Sequence, residues 1–288
     1  MQVSRTADLA ANFSLVGHEY VANLKLVRHA PDETAIHDLR VATRRLAAIV
    51  HVCEKILAEK ESKKLLRKLS KLMHCLGAAR DAQLKLAEID KMRRVFRQLV
   101  PLQEDLRKEK IMAERKLAKL LLTYHPVEYR KIFFVFSEEI THYGLHHEKG
   151  WQLIRNDVLM KLEEYQSGFS VQSRILDVDN PAALHKVRIV AKKTRYLLEL
   201  FPVLNGYESS GLETIKNLQA QLGAIQDGNT LVAGIDDFLK RKWMYRESIG
   251  PIRNELEQKM KRLSADIPEV LLGVTAALST DVAGLKTL

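Results

Sequence analysis

The sequence predicts an all-α protein built from two related helical halves. Three observations predict it. Apolar residues recur at helical spacing through nearly all 288 residues, and no segment alternates with period two. Only 13 Gly and 7 Pro are present, and Leu, Ala, Lys, Glu and Arg dominate, a usage that favours helices over strands. A nine-residue pattern also occurs twice, as HDLRVATRR at 37–45 and HKVRIVAKK at 185–193.

The elements follow in order. A first helix is expected over 4–28, ending before Pro31. Pro31-Asp32-Glu33 starts the second, 33–59. Helices 62–78 and 81–99 flank LGAARD, read as a Leu-Gly…Asp turn. Pro101 precedes 102–123 and Pro126 precedes 127–142, where IFFVF sits in a helical pattern without a partner strand. The stretch His142–Gly150 divides a single domain, 1–288, into half-repeats 1–146 and 147–288. A helix over 150–167 then ends at Gly168. Asn180-Pro181 opens 181–203, with Asn as cap and Pro at the first helical position. Helices 209–223 and 226–241 flank LGAIQD, a second turn of the same kind. A helix over 247–264 carries a break at Pro251. The charge-poor tail 269–288, interrupted by Ser279, Thr280 and Asp281, is expected to pack as a short final helix or to fray.

Net charge is +10, from 46 Lys+Arg against 36 Asp+Glu, so anionic partners are favoured: nucleic acid, polyphosphate, acidic lipid or acidic protein. Two cysteines, Cys53 and Cys75, give no disulfide framework and fit a reducing cytoplasm. The N-terminus lacks a basic start and apolar run, so no signal peptide is expected. No stretch of about 18 uncharged apolar residues stands out, so no membrane span is expected either.

The repeated motif places cations in a stripe. On a helix of 3.6 residues per turn, His37, Arg40, Arg44 and His51 share one face; so do His185, Arg188, Lys192 and Arg195. Arg45 and Lys193 flank the stripes. Leu39, Ala42, Leu46 and Ile49 lie opposite in the first copy, and Val187, Val190, Thr194 and Leu198 in the second. Ordinary exposed helices mix signs, because like charges at i,i+4 repel. Here Arg40 and Arg44 repel, as do Arg188 and Lys192, and acids appear only at the far ends, Glu54 and Glu199. The cations also sit in the N-terminal half of each helix, where the macrodipole favours an anion. Such an arrangement calls for a negative partner. Lys60, Lys63, Lys64, Arg67, Lys68 and Lys71 follow in 60–71 against one acid, Glu61; Lys216 is the main second-half counterpart. Lys71 and Lys216 are expected to face the stripes, Lys60 and Lys63 to be solvated, and Arg80 to cap a helix end or pair with Asp81.

These residues resemble those of the CHAD family, the conserved-histidine α-helical domain. HDLRVATRR matches its first basic motif, and HKVRIVAKKTRYLLEL its second, including Arg195, Tyr196 and Glu199; the LGAARD and LGAIQD segments also fit. The resemblance covers essentially the whole chain. It implies two four-helix-type bundles related by pseudo-twofold symmetry around a basic central channel, and binding of inorganic polyphosphate without catalysis or cofactor. Carried over by position, the binding set is His37, Arg40, Arg44 and Arg45 with His185, Arg188, Lys192, Lys193 and Arg195; Lys64, Lys71 and Lys216 are added from the charge pattern. One departure is Gln226, which stands where the first half has Arg80. Location in the cytoplasm, with association to polyphosphate granules or polyphosphate-metabolising enzymes, follows from the same implication.

Three other readings compete. Metal binding through the histidines is the runner-up, with His51, Cys53, His74 and Cys75 close in sequence, but no metal-ligand spacing occurs and Cys53 lies on an apolar face. Phosphoryl transfer or polyphosphate hydrolysis lacks a Walker loop and clustered magnesium carboxylates, and Asp81 and Asp227 read as caps. Nucleic-acid binding is permitted by charge, yet aromatic content is only 6% and no stacking platform shows. For a polyanion site, the histidines predict tighter binding as pH falls from about 8 to 6.

Overall fold

The computed structural model describes residues 2–146, 150–206 and 208–286. Among them only helices and their connections occur. The first half supplies α1 (Gln2–His29), α2 (Glu33–Val52), α3 (Glu59–Met92), α4 (Val100–Leu121) and α5 (Pro126–His146). The second supplies α6 (Gly150–Ile175), α7 (Pro181–Leu198), the short α8 (Phe201–Asn205), α9 (Leu212–Arg241), α10 (Arg246–Ser264) and α11 (Ile267–Lys286). Residues 147–149, where the half-repeats were expected to divide, lie outside the described residues.

Helices of each half pack in the same order. In the first, α5 lies on α1, α1 on α2, α2 on α3 and α3 on α4; in the second, α11, α6, α7, α9 and α10 repeat the sequence. Across the halves, α2 meets α7 and α3 meets α9. A large apolar core runs through both halves, with Phe13, Tyr20 and Phe133 in edge-to-face contact at centroid distances of 5.9 and 5.7 Å. A second, smaller core joins the far ends of α3, α4, α9 and α10 through Ile89, Leu102, Ile235, Phe238 and Ile249.

The two motif helices start as the sequence predicts. Asp32 accepts a hydrogen bond from the Ala35 amide at 2.7 Å, and Asn180 accepts from Ala182 and Ala183 at 3.0 and 3.3 Å. Both caps set the motif in the same register, so His37 and His185 are each the fifth residue of their helix.

Three expectations are corrected, and the helical reading of IFFVF holds. LGAARD and LGAIQD are not turns: each lies inside one long helix, α3 or α9, so the helices expected on either side are continuous. A helix interior tolerates glycine at a cost of about 1 kcal/mol, and the apolar register continues through both segments. Gly168 and Pro251 likewise fall within α6 and α10 without ending them. IFFVF lies in α5, burying Phe133 and Phe136. The tail is a full helix, α11, whose Leu271, Val274, Leu278 and Leu285 pack chiefly on α6.

Asp281 explains the last point. Its carboxylate is buried at 2% exposure and accepts from Ser209 Oγ (2.7 Å), the Ser210 amide (2.9 Å), Ser210 Oγ (3.0 Å) and the Gly211 amide (3.0 Å). It thereby caps the start of α9 from α11. One window within Trp243–Lys286 is long and apolar enough to cross a membrane by composition; in this fold Leu271, Val274, Leu278, Val282 and Leu285 of α11 are buried, while Leu272 is exposed.

Candidate functional site

The contact of α2 with α7 brings the two cationic stripes together. Arg40, from the first motif, and His185 and Arg188, from the second, line a single cavity of about 610 Å³. Its walls are completed by α3 (Met73, His74, Gly77, Asp81), α9 (Gln226, Asp227) and α10 (Lys259, Met260). Gly77 gives Arg40 its room: a Cβ there would stand 3.3 Å from Arg40 Nη1.

The cations perturb one another. Burial holds Arg40 below the usual arginine range, and Arg44, Arg188 and Arg80 add to the effect against Asp81. Arg44 is lowered by burial, then by Arg195 and Arg188, with Tyr196 and Glu199 opposing. Lys192 is pushed down to about 7, first by desolvation and then by Arg188, Arg44 and Arg40, with Asp227 opposing. His37 is lowered by burial and by Arg80, Arg44 and Arg40, against Asp38. Residues far apart in sequence thus share one electrostatic neighbourhood.

What these cations lack is a partner. Among the described residues Arg40, Arg44, Arg188 and Lys192 form no ion pair and no side-chain hydrogen bond, although all four are half-buried. The Nε atoms of Arg44 and Arg188 are buried without an acceptor. An unsatisfied buried donor costs about 1–3 kcal/mol, more when charged. Of the four, Arg40 and Arg188 line the cavity itself, so an anion there would meet those two guanidinium groups and, through its charge, relieve the repulsion they share with Arg44 and Lys192.

The remaining expected residues divide. Arg195 stays beside the cluster but is engaged, with Nε 2.9 Å from Glu199 Oε1, Nη1 donating to Gln219 Oε1 at 3.0 Å, and the guanidinium over the Tyr196 ring. Arg45 turns to a neighbouring groove, 3.6 Å from Glu199 and 3.8 Å from Glu19, so its charge is already met. Lys216 lines that same groove and lies 3.4 Å from Glu213. Lys64 is exposed on α3, 3.9 Å from Glu61, and its charge reaches Glu128 on α5. Lys193 is exposed and forms no ion pair among the described residues. Lys71 is exposed, and by helical register it extends the α3 face that carries His74, Ala78 and Asp81. The central set is therefore Arg40, Arg44, Arg188 and Lys192, with His37, His185 and Arg195 at its margins.

Sequence reasoning named Arg80, Asp81, Gln226 and Asp227 of α3 and α9 but assigned them other roles. Gln226 Oε1 stands 2.9 Å from His185 Nδ1. Its counterpart in the first half, Arg80, pairs with Glu33 at 2.5 Å instead of capping a helix or pairing with Asp81. Asp81 and Asp227 are not caps: they stand mid-helix in the cavity wall, where burial raises the Asp227 carboxyl against the pull of Arg188. The signal was present in the repeat itself, since Arg80 and Gln226 occupy equivalent places.

His51 is exposed at the end of α2, with Nδ1 3.5 Å from Glu54. Cys53 is buried and burial pushes its thiol up to about 12, consistent with a structural cysteine. No three His, Cys, Asp or Glu side chains converge as a metal site among the described residues.

A family model of the CHAD domain matches residues 16–234, which include both motifs and the cavity-lining parts of α3 and α9. The fold is similar to the crystal structure of the CHAD domain from the plant Ricinus communis, with a TM-score of 0.66 and 20% identity over 99% of this chain and 92% of that one. It is also similar to PptA from Streptomyces chartreusis, with a TM-score of 0.58 and 14% identity over 96% and 98% of the two chains. At these identities the likeness concerns the fold. No curated protein matches the sequence.

Proposed function

This chain belongs to the CHAD domain family, and from that premise we propose that it binds inorganic polyphosphate in the cavity between its two motif helices. The observation that carries the reading is the set Arg40, Arg44, Arg188 and Lys192, gathered from both repeats and forming no ion pair or side-chain hydrogen bond among the described residues, with Asp81, Asp227 and Glu199 near enough to oppose part of their charge. Each internal phosphate of the polymer carries a negative charge and oxygens on two sides. Arginine grips two such oxygens, while lysine acts as a point charge. Two facing rows therefore fit an anion that is itself repetitive. Family membership supports a polyphosphate-related role.

Binding is driven by neutralisation and counterion release, as in the backbone part of nucleic-acid recognition. We propose binding without catalysis, because the cluster supplies cations that hold and neutralise rather than an activated nucleophile. The same reading places the protein in the cytoplasm, with polyphosphate granules or polyphosphate-metabolising enzymes as its surroundings.

The test is a titration of the full chain with polyphosphate of defined length at several salt concentrations, with duplex DNA at equal phosphate concentration as competitor. Tight, salt-sensitive binding that DNA does not displace supports the proposal. Equal competition by DNA, or no binding at physiological salt, overturns it. Inorganic phosphate released over the incubation would overturn the non-catalytic part alone.

A further inference from the structure

Beyond the anion cavity, whose wall shares Leu231 and Leu256 with the smaller core, the ends of α3/α4 and α9/α10 close that core together. The first connection passes through a 3-10 turn, Arg97–Leu99, and the second through another, Trp243–Tyr245. The first turn packs against α10, and Phe96 and Tyr245 lie against the shared apolar cluster. Both hairpin tips therefore occupy one end of the molecule.

The side chains at this end are unusual for a surface. Trp243 is 76% exposed, Val95 76% and Met244 67%. Around them Arg93, Arg94, Arg97 and Arg246 are exposed, and none forms an ion pair among the described residues. Lys242 lies over the Phe238 ring at 5.5 Å. Of the nearby acids, Asp105 holds Arg241 at 2.7 Å and Asp237 holds Lys240 at 3.0 Å, while exposed Glu104 and Glu247 form no ion pair among the described residues and leave the arginines in excess. The end thus presents protruding apolar groups inside a belt of free guanidinium groups.

We propose that this end docks on an anionic lipid surface, with Trp243, Met244 and Val95 entering the interface and the arginines meeting the headgroup phosphates. A phosphate polymer satisfies the arginines but offers no apolar phase, and a nucleic acid could stack one base on Trp243 but gives no apolar seat to Met244 and Val95. An acidic protein would have to supply a concave apolar seat for them. A bilayer surface accepts both: indole and thioether settle at the headgroup boundary, and basic residues within a Debye length of anionic lipid add attraction. This surface lies apart from the cavity, so docking leaves the anion site open.

The experiment uses the full chain with vesicles of phosphatidylcholine, with and without phosphatidylserine. Trp151 is buried, so an emission shift on binding reports Trp243. Expected are co-sedimentation with the anionic vesicles at least about tenfold stronger than with neutral ones, and a blue shift of tryptophan emission. Trp243→Ser/Met244→Ser and, separately, Arg93→Gln/Arg94→Gln/Arg97→Gln should each lower vesicle binding several-fold and leave polyphosphate affinity unchanged. Failure to bind anionic vesicles overturns the proposal. So does binding with no blue shift that survives the Trp243→Ser/Met244→Ser change, since that is adsorption by charge alone. Equal displacement from vesicles by duplex DNA, with loss of the blue shift, would assign the tip to nucleic acid and overturn it as well.

Discussion

Arg40 and Arg188 hold the same place in the two copies of the motif, and they face one cavity in which the charge of Arg188 helps lower the pKa of Arg40. Duplication has brought like charges together, which a fold without a ligand has no reason to keep. Removing them separates the cost to the empty protein from the benefit to the complex. Arg40→Ala and Arg188→Ala are each expected to weaken polyphosphate binding about tenfold or more. Each should lower the salt slope by about 0.7–0.9 for every phosphate no longer neutralised. The melting temperature of the ligand-free protein should stay level or rise, because repulsion is relieved. Binding across a salt series together with thermal melts checks both halves; a large fall in stability of the empty variants would mark the arginines as structural.

Lys192 adds a pH dependence that the histidines alone do not provide. Its folded value of about 7 lies below the ordinary 10.5. Between those values the unfolded chain holds the extra proton, so this group makes the empty protein more stable as pH rises from about 7 towards 10.5. Ligand binding has the opposite sign. An anion favours the charged form, so binding takes up a proton and weakens as pH rises through 7, by at most about tenfold per unit for one linked proton. His37, lowered by burial and by Arg80, works in the same direction at lower pH. Lys192→Gln should bind more weakly at pH 6.5 and show a flatter profile from pH 7 to 9; isothermal titration in two buffers of different ionisation enthalpy measures the proton uptake. An unchanged profile in Lys192→Gln would assign the titration elsewhere.

The repeat made much of this site legible. Periodicity gave the helical class, and the spacing of Arg40, Arg44, Arg188 and Lys192 placed them on faces that do meet. What a one-dimensional pattern does not carry is the partner of each charge. Arg45 looks equivalent to its neighbours in sequence, but it points one helical step aside, toward Glu19 and Glu199. Lys64 and Lys216 each find an acid three residues away on their own helix. Glycine misled in the other direction. Gly77 reads as punctuation, yet its missing side chain serves a contact with Arg40 from another helix, and only tertiary packing exposes that role.

Two helical glycines should respond oppositely to the same change. At Gly77 a methyl group meets only the far end of Arg40, 3.3 Å away, and a flexible guanidinium moves aside. Gly77→Ala is therefore expected to stabilise the empty protein by up to about 1 kcal/mol through helix propensity. It should also weaken polyphosphate binding, because Arg40 is displaced. At Gly17 a methyl group would stand 2.8 Å from Phe133 Cδ2, inside an aromatic cluster that has no room to yield. Gly17→Ala is expected to destabilise by about 1–3 kcal/mol with binding by the folded protein unchanged. Urea denaturation and a binding isotherm for each variant decide the matter, and a shared sign of the stability change would contradict the assignment.

The tail offers the last prediction. In sequence Asp281 interrupts an apolar run; in the fold it is the acceptor that fastens α11 to the start of α9. Asp281→Ala removes a charged acceptor and leaves the buried Ser209 hydroxyl without one, while the Gly211 amide keeps only Ser209 Oγ at 3.2 Å. Hydrogen bonds to a charged group contribute about 1.5–3 kcal/mol, and the orphaned hydroxyl adds to the loss. The expected destabilisation is about 3 kcal/mol, with Asp281→Asn milder because its amide oxygen still accepts. Amide hydrogen exchange should then rise first in α11 and in the opening turn of α9, since those segments lose their link before the rest of the core opens. Exchange that rises uniformly across the chain, or a destabilisation under about 1 kcal/mol, would show that apolar packing on α6 holds the tail without the carboxylate.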